Sequence, residues 1–220
     1  MKKEDIIKAL EELRKTSKKR NFVQSVDLII SLKDMNPQKK PEDRILEYIV
    51  LPHEIGKKRK ICAIVDKELE VEARKHCDLV ITKSDLEKFA KNPKEARKLS
   101  KRYDFFIAQA TLMPRVGQIF GKFLSSREKM PSPKFSGILT PNSKIEEIVK
   151  RIQRTVKIST KKQPTIQCSI GTEKMKDEEI AENALAVYNF ILKRLPRGKQ
   201  QVKNCLIKFT MSKPIELKAK

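Results

Sequence analysis

Histidine is nearly absent from this 220-residue chain: only His53 and His76 occur. His53 sits in a turn beside Pro52, and no nucleophile has a recognisable motif around it. Cysteine is sparse as well. Cys62, Cys77, Cys168 and Cys205 stand alone, in or beside apolar runs, and no two have the C-x-x-C spacing of a zinc site. They read as reduced cysteines packed as small hydrophobes in a cytosolic protein. The six glycines form no nucleotide signature. No G-x-G-x-x-G follows Val65, and Gly121-Lys122-Phe123 lacks the rest of a P-loop. Gly117 and Gly121 read instead as points of close helix packing. No carboxylate cluster offers a Mg²⁺ site. No apolar run approaches the ~20 residues of a membrane span, and the opening MKKEDIIKALEELRK has no signal-peptide core. No internal repeat is visible. These absences argue against an enzyme, and no metal or cofactor is expected.

Acidic residues are also in short supply, and that shortage is the strongest positive signal. Fifty Lys and Arg face 28 Asp and Glu, a net charge of +22. A small domain ordinarily carries a net charge of ~2–8, so a polyanion is expected to neutralise the excess in use. Nucleic acid is the first candidate and an acidic membrane surface the second. With 39% hydrophobic residues the chain has enough for a core.

The chain reads as two kinds of strand. Residues 3–19 predict a helix with Ile6, Ile7, Leu10 and Leu13 on one face. The nearly all-basic run Lys15–Arg20 follows, either a phosphate contact or a solvated helix end. A strand over Asn21–Leu32 puts Phe22, Val26, Leu28, Ile30 and Leu32 on one parity, with Gln24 intruding, and Ser25, Asp27 and Ser31 on the other. A loop spans Asp34–Arg44, and a second strand spans Ile45–Leu51. From Ile61 the rhythm changes. Ile61–Val65, Leu79–Ile81 and Tyr103–Ala108 are short continuous apolar runs, the mark of strands buried on both faces. Helical stretches alternate with them: Glu68–His76, a helix opened by a Ser84/Glu87 capping box, Arg115–Leu124, and one opened by a Ser143/Glu146 capping box. After Arg154 half-polar strands return, Thr155–Ser159 and Thr165–Ile170 as an expected pair. A helix from Asp177 follows, with an acidic first turn suited to its dipole, stopped by Pro196 and Gly198. The final strand spans Val202–Leu217 and requires a partner made earlier, for which Asn21–Leu32 is the best match.

This division predicts an α/β and α+β protein of two domains. Residues 1–64 and 157–220 build a discontinuous α+β domain, and 65–156 an inserted α/β domain.

Five stretches together resemble the family of the first protein of the large ribosomal subunit, the L-one family of the mobile ribosomal stalk. They are Phe22–Asp27, Leu51–Lys57, Tyr103–Ala108 with Leu112-Met113, Ile166–Gly171, and Thr210-Met211. The resemblance spans essentially the whole chain. It implies a split α+β domain holding the main RNA site and an inserted Rossmann-like domain contributing less. It implies that Phe22 and Ser25 contact RNA from the first strand, that Gln167 and Gly171 do so near the preceding loop with Lys162 at its tip, and that Asn204, Thr210, Met211 and Ser212 do so from the last strand. The family's Thr-Met-Gly-Pro is here Thr210-Met211-Ser212-Lys213-Pro214, and Gln167 stands where bacterial relatives have His. Hydroxyls such as those of Ser25 and Thr210 suit the 2′-hydroxyl-lined minor groove of RNA. Met211 is polarizable enough to lie on a ribose or base. Lys208 and Lys213 alternate with these residues and either reach phosphates or face solvent.

The implied partners are large-subunit rRNA of the stalk region, exit-site tRNA and the protein's own mRNA, with no membrane, and a cytoplasmic monomer when free of the ribosome. The implied functions are rRNA binding, release of deacylated tRNA and repression of its own translation. The competing reading is an RNA-processing enzyme using the inserted domain for a nucleotide cofactor. Retention of ATP, GTP or S-adenosylmethionine by the purified protein would favour it.

Overall fold

The computed structural model describes residues 1–160 and 163–217. In chain order its elements are α1 (Lys3–Thr16), β1 (Ser25–Leu32), β2 (Leu46–Val50), β3 (Ile61–Ile64), α2 (Lys67–His76), β4 (Leu79–Ile81), α3 (Lys83–Lys91) and α4 (Pro93–Arg102). Then come β5 (Phe105–Gln109), α5 (Met113–Ser125), β6 (Ile138–Leu139), α6 (Ile145–Gln153), β7 (Thr155–Ser159), β8 (Thr165–Thr172), α7 (Asp177–Arg194), β9 (Val202–Phe209) and β10 (Ile215–Leu217). The protein is a mixed α/β structure with several sheets. Its contacts divide it into two compact units, Met1–Lys57 with Arg154–Lys220, and Lys58–Gln153.

The first unit is built on a four-stranded antiparallel sheet of order β10-β9-β1-β8. Alternation in β1 decides its two faces. Val26, Leu28, Ile30 and Leu32 are buried, while Ser25, Asp27, Ile29 and Ser31 are half-exposed. The buried set packs with Ile166, Cys168 and Ile170 of β8, and with Cys205, Ile207 and Phe209 of β9. Ile6, Leu10 and Leu13 of α1, three residues on one helical face, belong to the same core. So do Ile180, Ala184, Val187 and Ile191 of α7. The result is one sheet with helices on one face and an open face opposite, the arrangement in which antiparallel strands alternate apolar and polar residues.

The pairing of β1 with β9 is the expected one, Val26 opposite Phe209 through Ser31 opposite Asn204. Other features differ from expectation. β1 begins at Ser25, so Phe22 lies before the strand and is 51% exposed rather than part of the core. β7 pairs with β2 and not with β8, which pairs with β1 instead. Thr160 clamps that ribbon: its amide donates to Ile45 O at 2.9 Å and its hydroxyl accepts the Ile45 amide at 2.8 Å. The final strand is broken after Phe209. The chain reverses through Thr210–Pro214, and β10 returns along β9 with Ile215 opposite Ile207.

The second unit has a parallel sheet of order β4-β3-β5-β6. Every residue of β3 and β5 is buried, which accounts for their continuous apolar runs. The expected capping boxes do not form. α3 starts two residues early, and the Thr82 hydroxyl donates to the Asp85 carboxylate at 2.8 Å. The Ser143 hydroxyl accepts the Thr140 amide, while the first amide of α6, on Ile145, donates to Glu72. Gly117 and Gly121 are not packing points, since a Cβ at either would meet nothing within 4 Å.

Candidate RNA-binding surface

The start of β1 and the end of β9 meet because the two strands are antiparallel, and there most of the expected contacts from the chain's opposite ends come together. The Thr210 amide donates to Ser25 O at 3.1 Å, and the Thr210 hydroxyl accepts the Ser25 amide at 3.0 Å. Ser212 closes the turn that follows. Its hydroxyl accepts the Phe209 amide at 2.9 Å, and its own amide donates to Phe209 O at 3.2 Å. Such a hydroxyl-to-backbone turn suits serine. Ser212 is not among the residues with positive φ, so the turn does not need the glycine usual in the family. The tip of this turn is Met211, 60% exposed, and Phe22 adds a second exposed apolar side chain on the segment entering β1. Lys213 is exposed next to them.

A buried polar network holds the turn from below. Gln24, only 2% exposed, accepts the Met211 amide through its side-chain carbonyl at 3.2 Å. Its own amide donates to Glu173 Oε1 at 3.1 Å, its side-chain nitrogen donates to Glu173 Oε2 at 3.3 Å, and the Glu173 amide donates back to Gln24 O. Arg14, in the last turn of α1, fixes the segment after β8. It donates to the backbone oxygens of Glu173 and Met175 and to the Asp177 carboxylate. Arg14, Gln24, Glu173 and Phe209 also line an open cleft with Lys18, Lys19 and Arg20, which places the basic run beside the Met211 turn. Sequence reasoning missed Gln24, Glu173 and Arg14. The available signal was a glutamine on a core parity just ahead of a strand.

The remaining expected residues lie on the open face of the sheet or away from it. Residues paired across strands share a face. Lys208 stands opposite Asp27, Gln167 opposite Ile29, and Asn204 opposite Ser31. Ser25, Gln167, Asn204 and Lys208 therefore share the face without helices. Ser25 and Ser31 are separated by six strand positions, about 20 Å, so Gln167 and Asn204 are set well along the sheet from the Met211 turn. Gln167 is exposed. The Asn204 side-chain oxygen is buried and has no hydrogen-bond partner among the described residues. Gly171 is not on the face. It is buried opposite Val26, where a Cβ would come within 3.1 Å of Met175 Sδ and 3.2 Å of Ile180. Lys162 lies outside the described residues.

Electrostatically the face is not uniformly basic. Asp27 sits in its middle, half-buried, and burial pushes its carboxyl above the ordinary value against the opposing pull of Lys208. Burial likewise pushes the Cys168 and Cys205 thiols up to about 12, keeping them protonated and inert.

Known proteins are similar to this chain over nearly its whole length. The model of the Ribosomal protein L1p/L10e family matches residues 13–213. The chain is 42% identical over 217 residues to the large ribosomal subunit protein uL1 of Pyrococcus abyssi, covering 98% of this chain and 96% of that one. It is 42% identical over 216 residues to uL1 of Thermococcus kodakarensis, covering 98% and 97%. It is 39% identical over 218 residues to uL1 of Methanocaldococcus jannaschii, covering 99% and 97%. With a match of this length and identity, the chain belongs to the Ribosomal protein L1p/L10e family.

Proposed function

We propose that this chain is a structural protein of the large ribosomal subunit that binds rRNA of the mobile stalk through the surface where β1 begins and β9 ends. One observation carries the reading. Ser25 and Thr210, which come from opposite ends of the chain, are hydrogen-bonded to each other, and the turn that Ser212 closes on Phe209 presents exposed Met211 beside Lys213. Phe22 supplies a further apolar contact, and Lys208, Gln167 and Asn204 extend the surface along the open face. The family resemblance adds Lys162 as a further RNA contact. Gly171 serves by admitting the close packing of β8 on α7. The curated relatives are named as ribosomal proteins rather than enzymes, which supports a binding role without chemistry.

Residues 1–64 and 157–220 act in this reading as the RNA-binding domain, and the parallel sheet within 65–156 as an inserted Rossmann-like domain giving secondary contacts. On the ribosome the protein assists release of deacylated tRNA from the exit site. Off the ribosome it is a monomer that represses translation of its own mRNA at a site resembling the rRNA one. Repression then begins only when rRNA is saturated, so the rRNA site binds more tightly than the mRNA site in the same buffer.

The test is binding to a large-subunit rRNA stalk fragment across a salt series, with wild type and Met211→Asp compared. Wild type is expected to prefer the fragment strongly to an unrelated duplex, and the variant to lose most of that preference. Salt weakens both through counterion release. Equal binding of all RNAs by both proteins would leave only the +22 charge acting and overturn the site.

A further inference from the structure

Helix α5, in the unit with the parallel sheet, presents two different faces. Val116, Phe120 and Leu124 are buried in that unit's core. Arg115, Gln118, Ile119, Lys122 and Phe123 recur at spacings of three and four residues, which puts them on a second face. That face lines an open cleft of about 650 Å³, within the ~300–1,000 Å³ of ordinary ligand sites. The rest of the lining comes from α3 and the first residue of α4, including Phe89, Lys91 and Pro93. Phe89, Ile119 and Phe123 are partly buried and pack against the core. Phe89 lies on Phe120 with ring centroids 5.6 Å apart, so the apolar floor is held from beneath.

Cations stand around this floor. Lys91 and Lys122 are exposed and enter no ion pair or hydrogen bond among the described residues. Arg115 meets Glu87 at 3.8 Å, both side chains being more than half exposed, and such a contact is weak in water. The complementary occupant brings apolar groups to the floor and carboxylates to the rim. The walls also decide its backbone form. They are helices, whose interior amides and carbonyls already bond within the helix, so no strand edge is offered to an extended peptide. A helix satisfies its own backbone and can lay an i, i+3, i+4, i+7 stripe into such a groove. RNA suits the cleft less well. A sugar–phosphate chain laid over Phe89, Ile119 and Phe123 would cover polar oxygens without partners.

We propose that the cleft between α3 and α5 is a docking groove for an amphipathic helix with acidic flanks, supplied by a partner protein. The groove lies on a different unit from the Met211 turn, and its argument stands apart from the rRNA reading.

The experiment uses the full chain and a pool of displayed helical peptides about four turns long. Each carries leucine at i, i+3, i+4 and i+7, and its flanking positions are drawn from Glu, Gln and Lys. Selection on wild type is expected to enrich Glu on the flanks, and scrambling the leucine stripe of a selected peptide should abolish binding. Lys91→Glu with Lys122→Glu should weaken that peptide roughly tenfold. Lys67→Glu with Lys75→Glu, on α2 and outside the cleft, gives the same net charge and should change binding by less than about twofold. Ile119→Asp should weaken it by at least about tenfold. Thermal unfolding establishes that each variant is folded, and if Ile119→Asp is not, the two charge-reversed pairs carry the test. A selection without binders, or binders that do not need the leucine stripe, overturns the proposal. Equal weakening by both charge-reversed pairs also overturns it, since overall charge would then act alone. An RNA oligonucleotide that displaces the peptide from wild type, and is weakened by the cleft pair but not by the α2 pair, makes the cleft an RNA contact and overturns it too.

Discussion

The Gln24 side chain accepts the backbone amide of Met211 at 3.2 Å, joining positions 187 residues apart. Because the same side chain also meets Glu173, the exposed turn rests on a buried polar support rather than on its own contacts. Preorganisation of this kind lowers the ordering cost of binding.

Gln24→Leu keeps the bulk and removes the polar atoms. It leaves the Met211 amide and the Glu173 carboxylate without these partners, at an expected cost of about 1–3 kcal/mol. For a chain of this length that lowers the thermal midpoint by roughly 3–9 °C. Binding to stalk rRNA should weaken by more than binding to an unrelated duplex. Calorimetry and titration of one preparation check both. An unchanged preference would show that the turn orders itself.

Asn183 supports a different part of the same unit. It is fully buried on α7. Its side-chain oxygen accepts the His53 amide at 3.0 Å, and its nitrogen donates to Ile170 O at 2.9 Å and His53 O at 3.3 Å. One side chain thus ties the loop after β2 and strand β8 to the helix. Asn183→Leu should destabilise the protein by on the order of 3 kcal/mol, because it strands buried backbone groups. Equilibrium unfolding in urea measures it, and a loss below ~1 kcal/mol would show that those groups find other partners.

Next to it, Glu182 gives the protein an acid limb. The His53 ring at 2.6 Å, and then Lys3 at 2.7 Å, hold its carboxyl down to about 2 from an ordinary 4.5. A depressed carboxyl binds fewer protons folded than unfolded. Its stabilising contribution is therefore complete above the ordinary value and lost as pH falls toward about 2. Glu182→Gln should lower the thermal midpoint at pH 6, and the difference from wild type should shrink as the pH is taken below 4.5. A difference that stays constant with pH would refute the assignment.

What could be read from the sequence was what a residue's neighbours along the chain decide. The alternation of β1, the double burial of β3 and β5, and the acidic start of α7 are local patterns, and each element lies near where its pattern puts it, β1 starting at Ser25 rather than Asn21 and β5 at Phe105 rather than Tyr103. The partner of β7 was not legible, because its pairing with β2 crosses more than a hundred residues and nothing in Thr155–Ser159 names it. α4 was invisible for another reason: it buries only Ala96 and Ser100, too little for an apolar stripe. At the surface, the Thr210-Met211 pair and Ser25 stood out by motif. Gln24 did not, since a buried glutamine looks like an error in a hydrophobic alternation until its partners are in place.

The topology of the antiparallel sheet also sets a schedule. β1 leaves the peptide exit tunnel more than a hundred residues ahead of β8, and β9 follows later still. Until then one edge of β1 has no strand beside it and Ser25 has no Thr210. Nascent or truncated chains ending before that point carry most of the mass and much of the positive charge but not the completed surface. In the proposed reading such chains do not compete specifically for the RNA, and recognition waits until β9 has been made.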